Sequence, residues 1–312
     1  MKGPKKLRID ALRSDLASVM QMIERSTLFH DAIGEYQFTH RKEAIESEIE
    51  ALGLSEEHTG KVALFFGGGP VLGSRGVEAD FAGEALHAFQ DIVQKKFAVE
   101  EQGGLGSRGP VAHRAASQLL ITDVARGSFG FLLEEAAVGD ALADTQLKVV
   151  IDQTSNLIAD IASISSEAFE VAIETVDSRT LIALKRFFDV IDTSHATIRL
   201  VDDDQEFSLQ RADVARARHR VDATEIQEDE NSDIVGLLYF LPQHKTFELV
   251  RDDSGETIYG RVEPAIIRQL VAAAQGPGLG VGRWRTIMKI KKVQQRGRDE
   301  KIFYKLSGLI EV

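Results

Sequence analysis

The sequence predicts an α+β protein: an N-terminal helical segment, a small α/β sheet unit, a section of long helices and a small C-terminal β-barrel. Three observations lead there. Ile9, Leu12, Leu16, Val19 and Ile23 recur at spacings of three and four, the stripe of an amphipathic or coiled-coil helix. The period then changes at Lys61-Val-Ala-Leu-Phe-Phe66, a short apolar run closed by Gly67-Gly68-Gly69-Pro70, which reads as a buried strand. From residue 232 onward, short alternating segments separated by turn residues replace the helical rhythm. A chain of 312 residues accommodates two or three domains. The pattern divides it into sections 1–56, 57–142, 143–231 and 232–312.

In the first section a second helix is expected over Arg41–Leu52, with Ile45, Ile49 and Leu52 on one side and Gly53 at its end. Two helices alone are too thin to cover their apolar seam, so either the next domain or a second copy must cover it. In the second section a helix over Ala79–Phe97 is followed by strands Gln118–Val124 and Ser128–Glu134, the latter alternating Phe129, Phe131 and Leu133 on one face. Leu147, Val150, Thr154, Leu157, Ile161, Ile164, Ala168 and Val171 continue the three–four rhythm in the third section. That stripe is either one long helix or two, because Ser165-Ser166-Glu167 is suited to cap a new one. A helix over Ser178–Ile191, a hairpin pairing Thr197–Val201 with Glu206–Leu209, and a basic helix Arg211–Val221 complete the section.

The last section reads as strands Ile234–Leu241, Lys245–Arg251 and Glu256–Val262, a helix opened by Glu263-Pro264, and strands Val281–Val293 and Lys301–Val312. This β-β-β-α-β-β order resembles an OB-fold, so the barrel is expected to be OB-like. The resemblance is one of topology over about 80 residues, and it implies a binding face on the second and third strands and the adjoining loops. A fold alone does not carry a function.

Composition removes several function classes. The chain has no Cys, which excludes disulfides, thiolate metal sites and a Cys nucleophile. No apolar run approaches the roughly 18 residues of a spanning helix, and MKGPKKLRID leads into no apolar signal region. A soluble, cytoplasmic protein that does not engage membranes is expected. Asp80, Glu84, His87 and Asp91 share a side of their helix and Glu84-x-x-His87 has metal-bundle spacing. The second such pair is missing, so a solvated face is expected rather than a metal site. No cofactor and no catalytic residue are assigned.

The net charge of −12 disfavours general attraction to polyanions, but it is unevenly spread. Residues 201–233 hold four Arg against eleven acids, and residues 281–312 hold nine Lys and Arg against three. Arg283, Trp284, Arg285, Lys289, Lys291, Arg296 and Arg298 are therefore the expected anion or nucleic-acid contacts, with Lys and Arg on phosphates and aromatics under bases. The acidic stretch is equally suited to cover this surface within the molecule.

A second set of candidates lies in glycine-rich loops. Gly68 and Gly73 have P-loop spacing, but Ser74-Arg75 stands where Lys followed by Ser or Thr is needed. Gly73, Ser74, Arg75, Arg108, Arg126 and Ser128 remain as phosphate-binding candidates, since glycine lets backbone N–H groups approach an anion and Arg grips it. The leading expectation is a non-enzymatic, oligomerising interaction protein. Helices 7–25 and 147–175 would join copies, and a basic barrel would meet nucleic acid or a partner protein. The alternative is a nucleotide- or phosphometabolite-binding enzyme or sensor using the loops of residues 67–130.

Overall fold

The computed structural model describes residues 3–102, 114–125, 129–136, 141–241, 243–263, 266–267, 270 and 281–311. Helices α1 (Lys5–Leu28) and α2 (Ala32–Leu54) form an antiparallel hairpin that packs mainly on itself. Helix α2 begins nine residues before the expected Arg41 because Asp31 caps it, its carboxylate accepting the Gly34 N–H at 3.0 Å.

The body is a five-stranded antiparallel sheet in the order β2-β3-β1-β4-β5, built from β1 (Lys61–Gly68), β2 (Leu119–Ala125), β3 (Phe129–Glu135), β4 (Ala196–Val201) and β5 (Glu206–Leu209). The continuous apolar run of β1 follows from its place at the centre of the sheet. Val62, Leu64 and Phe66 enter the main core, while Ala63 and Phe65 enter a smaller cluster on the opposite face with Leu132 and Val201. Since β1 pairs with both β3 and β4, residues of the expected sections 57–142 and 143–231 share one sheet and one core.

Helices α3 (Ala79–Gln102), α4 (Gln146–Ala162), α5 (Ser166–Glu174), α6 (Ser178–Thr193) and α7 (Arg211–Asp222) surround that core. The long stripe is divided, as Ser165-Ser166 allowed: the Ser165 hydroxyl accepts the Ala168 N–H at 3.2 Å and starts α5. Leu147, Val150, Leu157 and Ile161 are consumed by the core, so the stripe of 147–175 that was expected to join copies has no such surface to offer in α4. Of Asp80, Glu84, His87 and Asp91, the first three are exposed and Asp91 pairs with Lys95 at 2.6 Å. Among the described residues no cluster suits a metal ion, and no helix is long and apolar enough to cross a membrane.

The C-terminal strands are β6 (Thr224–Leu241), β7 (Thr246–Arg251), β8 (Thr257–Val262), β9 (Val281–Gln295) and β10 (Lys301–Glu311). They close into a barrel in the order β10-β8-β7-β6-β9, with β8 and β10 parallel and the other pairs antiparallel. Ile266 and Leu270, helical residues between β8 and β9, are buried in the barrel core with Leu238, Phe247, Leu249, Met288 and Leu306.

Strand β6 starts ten residues before the expected Ile234. Its acidic beginning lies against the basic end of β9, with Gln227 opposite Lys292 and Glu228 opposite Lys291. Glu228 and Lys291 are opposite charges facing across the ladder, which favours this pairing. A register shift between Asp229 and Ser232 bends β6 where it leaves the barrel, and Asp229 secures the bend by accepting the Ser232 hydroxyl at 2.7 Å. Beyond the bend, Ile226, Val293 and Phe303 pack into the core of the body. The barrel is thus joined to the body by shared strands.

Candidate binding cleft

A cleft of about 910 Å³ lies between the barrel and the helices of the body. This is near the upper end of the roughly 300–1,000 Å³ usual for a small-molecule site. Its barrel wall comes from β7, β8, β9 and β10, and its opposite wall from the end of α3, the α5–α6 corner and the start of β6. On β8 the alternation of the strand sends Ile258 and Val262 into the barrel and Tyr259 and Arg261 outward. Tyr259 is 63% exposed, and Arg261 is exposed with no ion pair among the described residues. Phe303, Tyr304, Lys289 and Lys305 continue this wall. The opposite wall is acidic, with Glu100, Glu174, Asp177 and Glu228.

The barrel's cations are held mostly by acids of the same chain. Lys289 pairs with Glu263 at 2.8 Å and Lys305 approaches the same carboxylate at 3.7 Å. Arg283 donates to Asp252 at 2.8 Å. Arg298 and Lys301 both bind Glu170 of α5, and these hydrogen bonds, Lys301 first, hold the Glu170 carboxyl below its ordinary range.

Lys291 behaves differently. Its Nζ donates to the carbonyls of Ile173, Glu174 and Val176 at the end of α5, and it lies over the Phe303 ring at 5.2 Å. A cation at a helix C-terminus gains about 0.3–2 kcal/mol from the aligned peptide dipoles, but taking an ammonium out of water costs several. Burial wins, and the Lys291 pKa falls to about 8. Lys291 is a helix cap that ties β9 to the body.

The expected contacts therefore do not form one patch. Lys289 and Lys291 reach the cleft, while Arg283 and Arg285 sit four to eight residues along β9, about 13–26 Å at roughly 3.3 Å per residue. Trp284 is half-buried against the barrel core. Arg296 and Arg298 lie in the turn between β9 and β10. Among the described residues Arg285, Lys292 and Arg296 are exposed and have no ion pair. Tyr304 and Lys305 belong to the basic stretch with interleaved aromatics that the sequence displays, whereas Tyr259 and Arg261 were not singled out from the sequence. The exposed positions of strand 257–262, alternating with Ile258 and Val262, were the available signal.

The glycine-rich candidates have a simple local geometry. Gly73 adopts φ +55° in a tight turn between Val71 and Val77, with the Leu72 N–H donating to Gly76 and the Arg75 N–H to Leu72. Those two N–H groups are used within the turn. Ser74 and Arg75 are exposed and line neither this cleft nor the second cavity. Arg108, Arg126 and Ser128 lie outside the described residues.

The second cavity, about 570 Å³, sits at the base of the α1–α2 hairpin beside Lys5, His58, Asp144, Lys148 and Asp203. Lys148 occupies its acidic side, 3.1 Å from Asp152 and 3.9 Å from both Asp144 and Asp204. Asp203 accepts the Lys5 N–H at 2.7 Å, and burial raises its pKa to about 6.

In comparison with known proteins, the chain matches no family model, no curated protein and no solved structure.

Proposed function

We propose that the protein is a non-enzymatic interaction protein that acts as an oligomer and holds a single-stranded, anionic polymer segment along its barrel. The observation that carries this reading is the side-by-side exposure of Tyr259 and Arg261 on β8, opening onto the cleft. A ring for base stacking next to an uncommitted guanidinium is the pairing that single-strand binders use. The strand order supports the reading too. Counted along the barrel it runs 1-2-3-5-4, with the third and fifth strands parallel and helical residues between the third and fourth. An OB-like barrel has this arrangement, and β7 and β8 are then its usual binding face.

The acidic wall opposite limits the ligand. It repels a duplex and leaves room for few phosphates, so the reading is of about two or three engaged charges and a shallow salt slope, roughly −1.4 to −2 for a single strand.

Fluorescence anisotropy of labelled single- and double-stranded oligonucleotides, titrated with the full chain at several salt concentrations, tests this. Preference for the single strand, a slope in that range and at least a tenfold loss in Tyr259→Ala and Arg261→Ala are expected. Absence of binding, or binding indifferent to both substitutions, would retire the proposal. Competition by an acidic peptide and not by a single strand would move the reading to a protein partner.

A further inference from the structure

The α1–α2 hairpin projects from the body as an arm. At 1.5 Å per residue, its 24-residue first helix is about 36 Å long. Its anchorage is confined to the base. There the Lys5 N–H donates to Asp203 at 2.7 Å, Arg8 pairs with Glu57 at 2.8 Å, and Leu7 packs on the outer face of the sheet.

At the far end the arm displays Leu28, Phe29, Ile33 and Tyr36, exposed by 74, 67, 73 and 73%. Loops between helices are normally polar at such a place, and four large apolar groups within nine residues need a cover. The turn beneath them is closed by hydrogen bonds. His30 takes φ +56°, its N–H donates to Thr27 at 3.2 Å, the Asp31 N–H donates to Ser26 at 2.9 Å, and Asp31 caps α2. Gly34 is buried where the helices meet, and a Cβ there would stand 2.8 Å from the Ser26 hydroxyl and collide with the Asp31 carboxylate. A display surface fixed in this way loses little entropy when it binds.

We propose that this tip is the surface through which two copies of the chain join, end to end about a two-fold axis. The inference rests on the oligomeric half of the reading above and is independent of the barrel's ligand. Two features favour a second copy as the occupant. The first is area: Phe29 and Tyr36 are aromatic side chains that bury roughly 150–250 Å² each, and with Leu28 and Ile33 beside them the tip offers on the order of 600 Å² per copy. Across a two-fold that is about 1,200 Å², the lower bound of a specific interface.

The second feature is charge. Arg25 lies in the last turn of α1 with its guanidinium 5.9 Å over the Phe29 ring, Glu35 lies in the first turn of α2, and neither has an ion pair among the described residues. A two-fold through the turn brings each copy's Arg25 toward the other's Glu35, so the rim is complementary to itself. Glu24, Asp31 and Glu35 around the patch oppose an anionic lipid surface.

The full-length chain, studied by sedimentation equilibrium from 1 to 100 µM, should reach twice the chain mass. Ile33→Glu with Tyr36→Glu should hold it at the monomer mass, while Leu142→Glu, at a fully exposed position elsewhere, should leave the dimer unchanged. Circular dichroism of each variant confirms that it is folded. Arg25→Glu should weaken the dimer about tenfold and adding Glu35→Arg should restore it. Because the chain has no Cys, Ile33→Cys supplies a unique thiol, and a short bismaleimide should link two copies. A wild-type monomer throughout, or a dimer that survives the tip substitutions, would overturn the proposal. Oligonucleotide anisotropy on the same tip variants separates it from the barrel reading, since neither a failed tip nor a failed barrel predicts the other.

Discussion

Lys291 of β9 reaches the carbonyl of Val176, 3.2 Å away, just beyond the end of α5. One side chain thus closes a helix of the body from a strand of the barrel, and its depressed pKa records what burial costs the ammonium.

That cost has a definite pH signature. The folded chain releases the Lys291 proton near pH 8, whereas an unfolded chain keeps it until about 10.5. Between these values the unfolded state binds more protons, so this residue's contribution to stability rises with pH, by at most about 3 kcal/mol. Urea unfolding of wild type and Lys291→Met at pH 7.5, 9 and 10.5 should show the difference moving in favour of wild type. A constant difference would mean that the amine is not buried at the helix end.

Asp203 gives the opposite sign. Its folded pKa of about 6 lies above the usual 3.8, with burial the main cause, Lys61 and Lys148 opposing it and Glu57 adding to it. Between about pH 4 and 6 the folded chain binds more protons, so stability falls as pH rises through that window, by at most about 3 kcal/mol. Asn keeps an oxygen to accept the Lys5 N–H. Asp203→Asn should therefore melt higher than wild type at pH 7 and equal to it at pH 4, measured by thermal circular dichroism.

Gly260 is needed for barrel closure. A Cβ there would collide with the Tyr304 carbonyl oxygen and stand 2.7 Å from the Phe247 ring, at the parallel β8–β10 pairing. Backbone cannot give way as a side-chain tip can, so Gly260→Ala should cost at least about 1–3 kcal/mol. A chemical denaturation midpoint equal to that of wild type would contradict this account of the closure.

Ser165 makes a smaller, local contribution. Ser165→Ala removes the hydroxyl that receives the Ala168 N–H, and about 1 kcal/mol should be lost. Ser165→Gly should lose only a few tenths. Equal losses in the two variants would point away from capping.

Features whose cause is local were legible in the sequence. The apolar run of 61–66 ended by glycines is the central strand, and Ser165-Ser166-Glu167 does interrupt the helical stripe. The order of strands and turns after residue 232 describes a closed barrel. The early start of β6 was not legible, because an acidic segment with little apolar alternation becomes a strand only through its Lys-rich partner some 60 positions later. The expected basic site failed to gather for the same reason. Arg298 and Lys301 find Glu170 across 128 and 131 residues of sequence, and Lys289 and Lys305 share Glu263. No local pattern reports which acid will neutralise which base. Tyr259 and Arg261 follow from the alternation of strand 257–262, but they stand outside the densest run of positive charge.

The strands β6 and β9 serve two interiors at once, with Leu238 and Met288 in one and Ile226 and Val293 in the other. Melting either interior would strip half the ladder from strands the other still requires. Cooperativity therefore extends over both, and a calorimeter should record a single heat-absorption peak for a chain whose parts look like two.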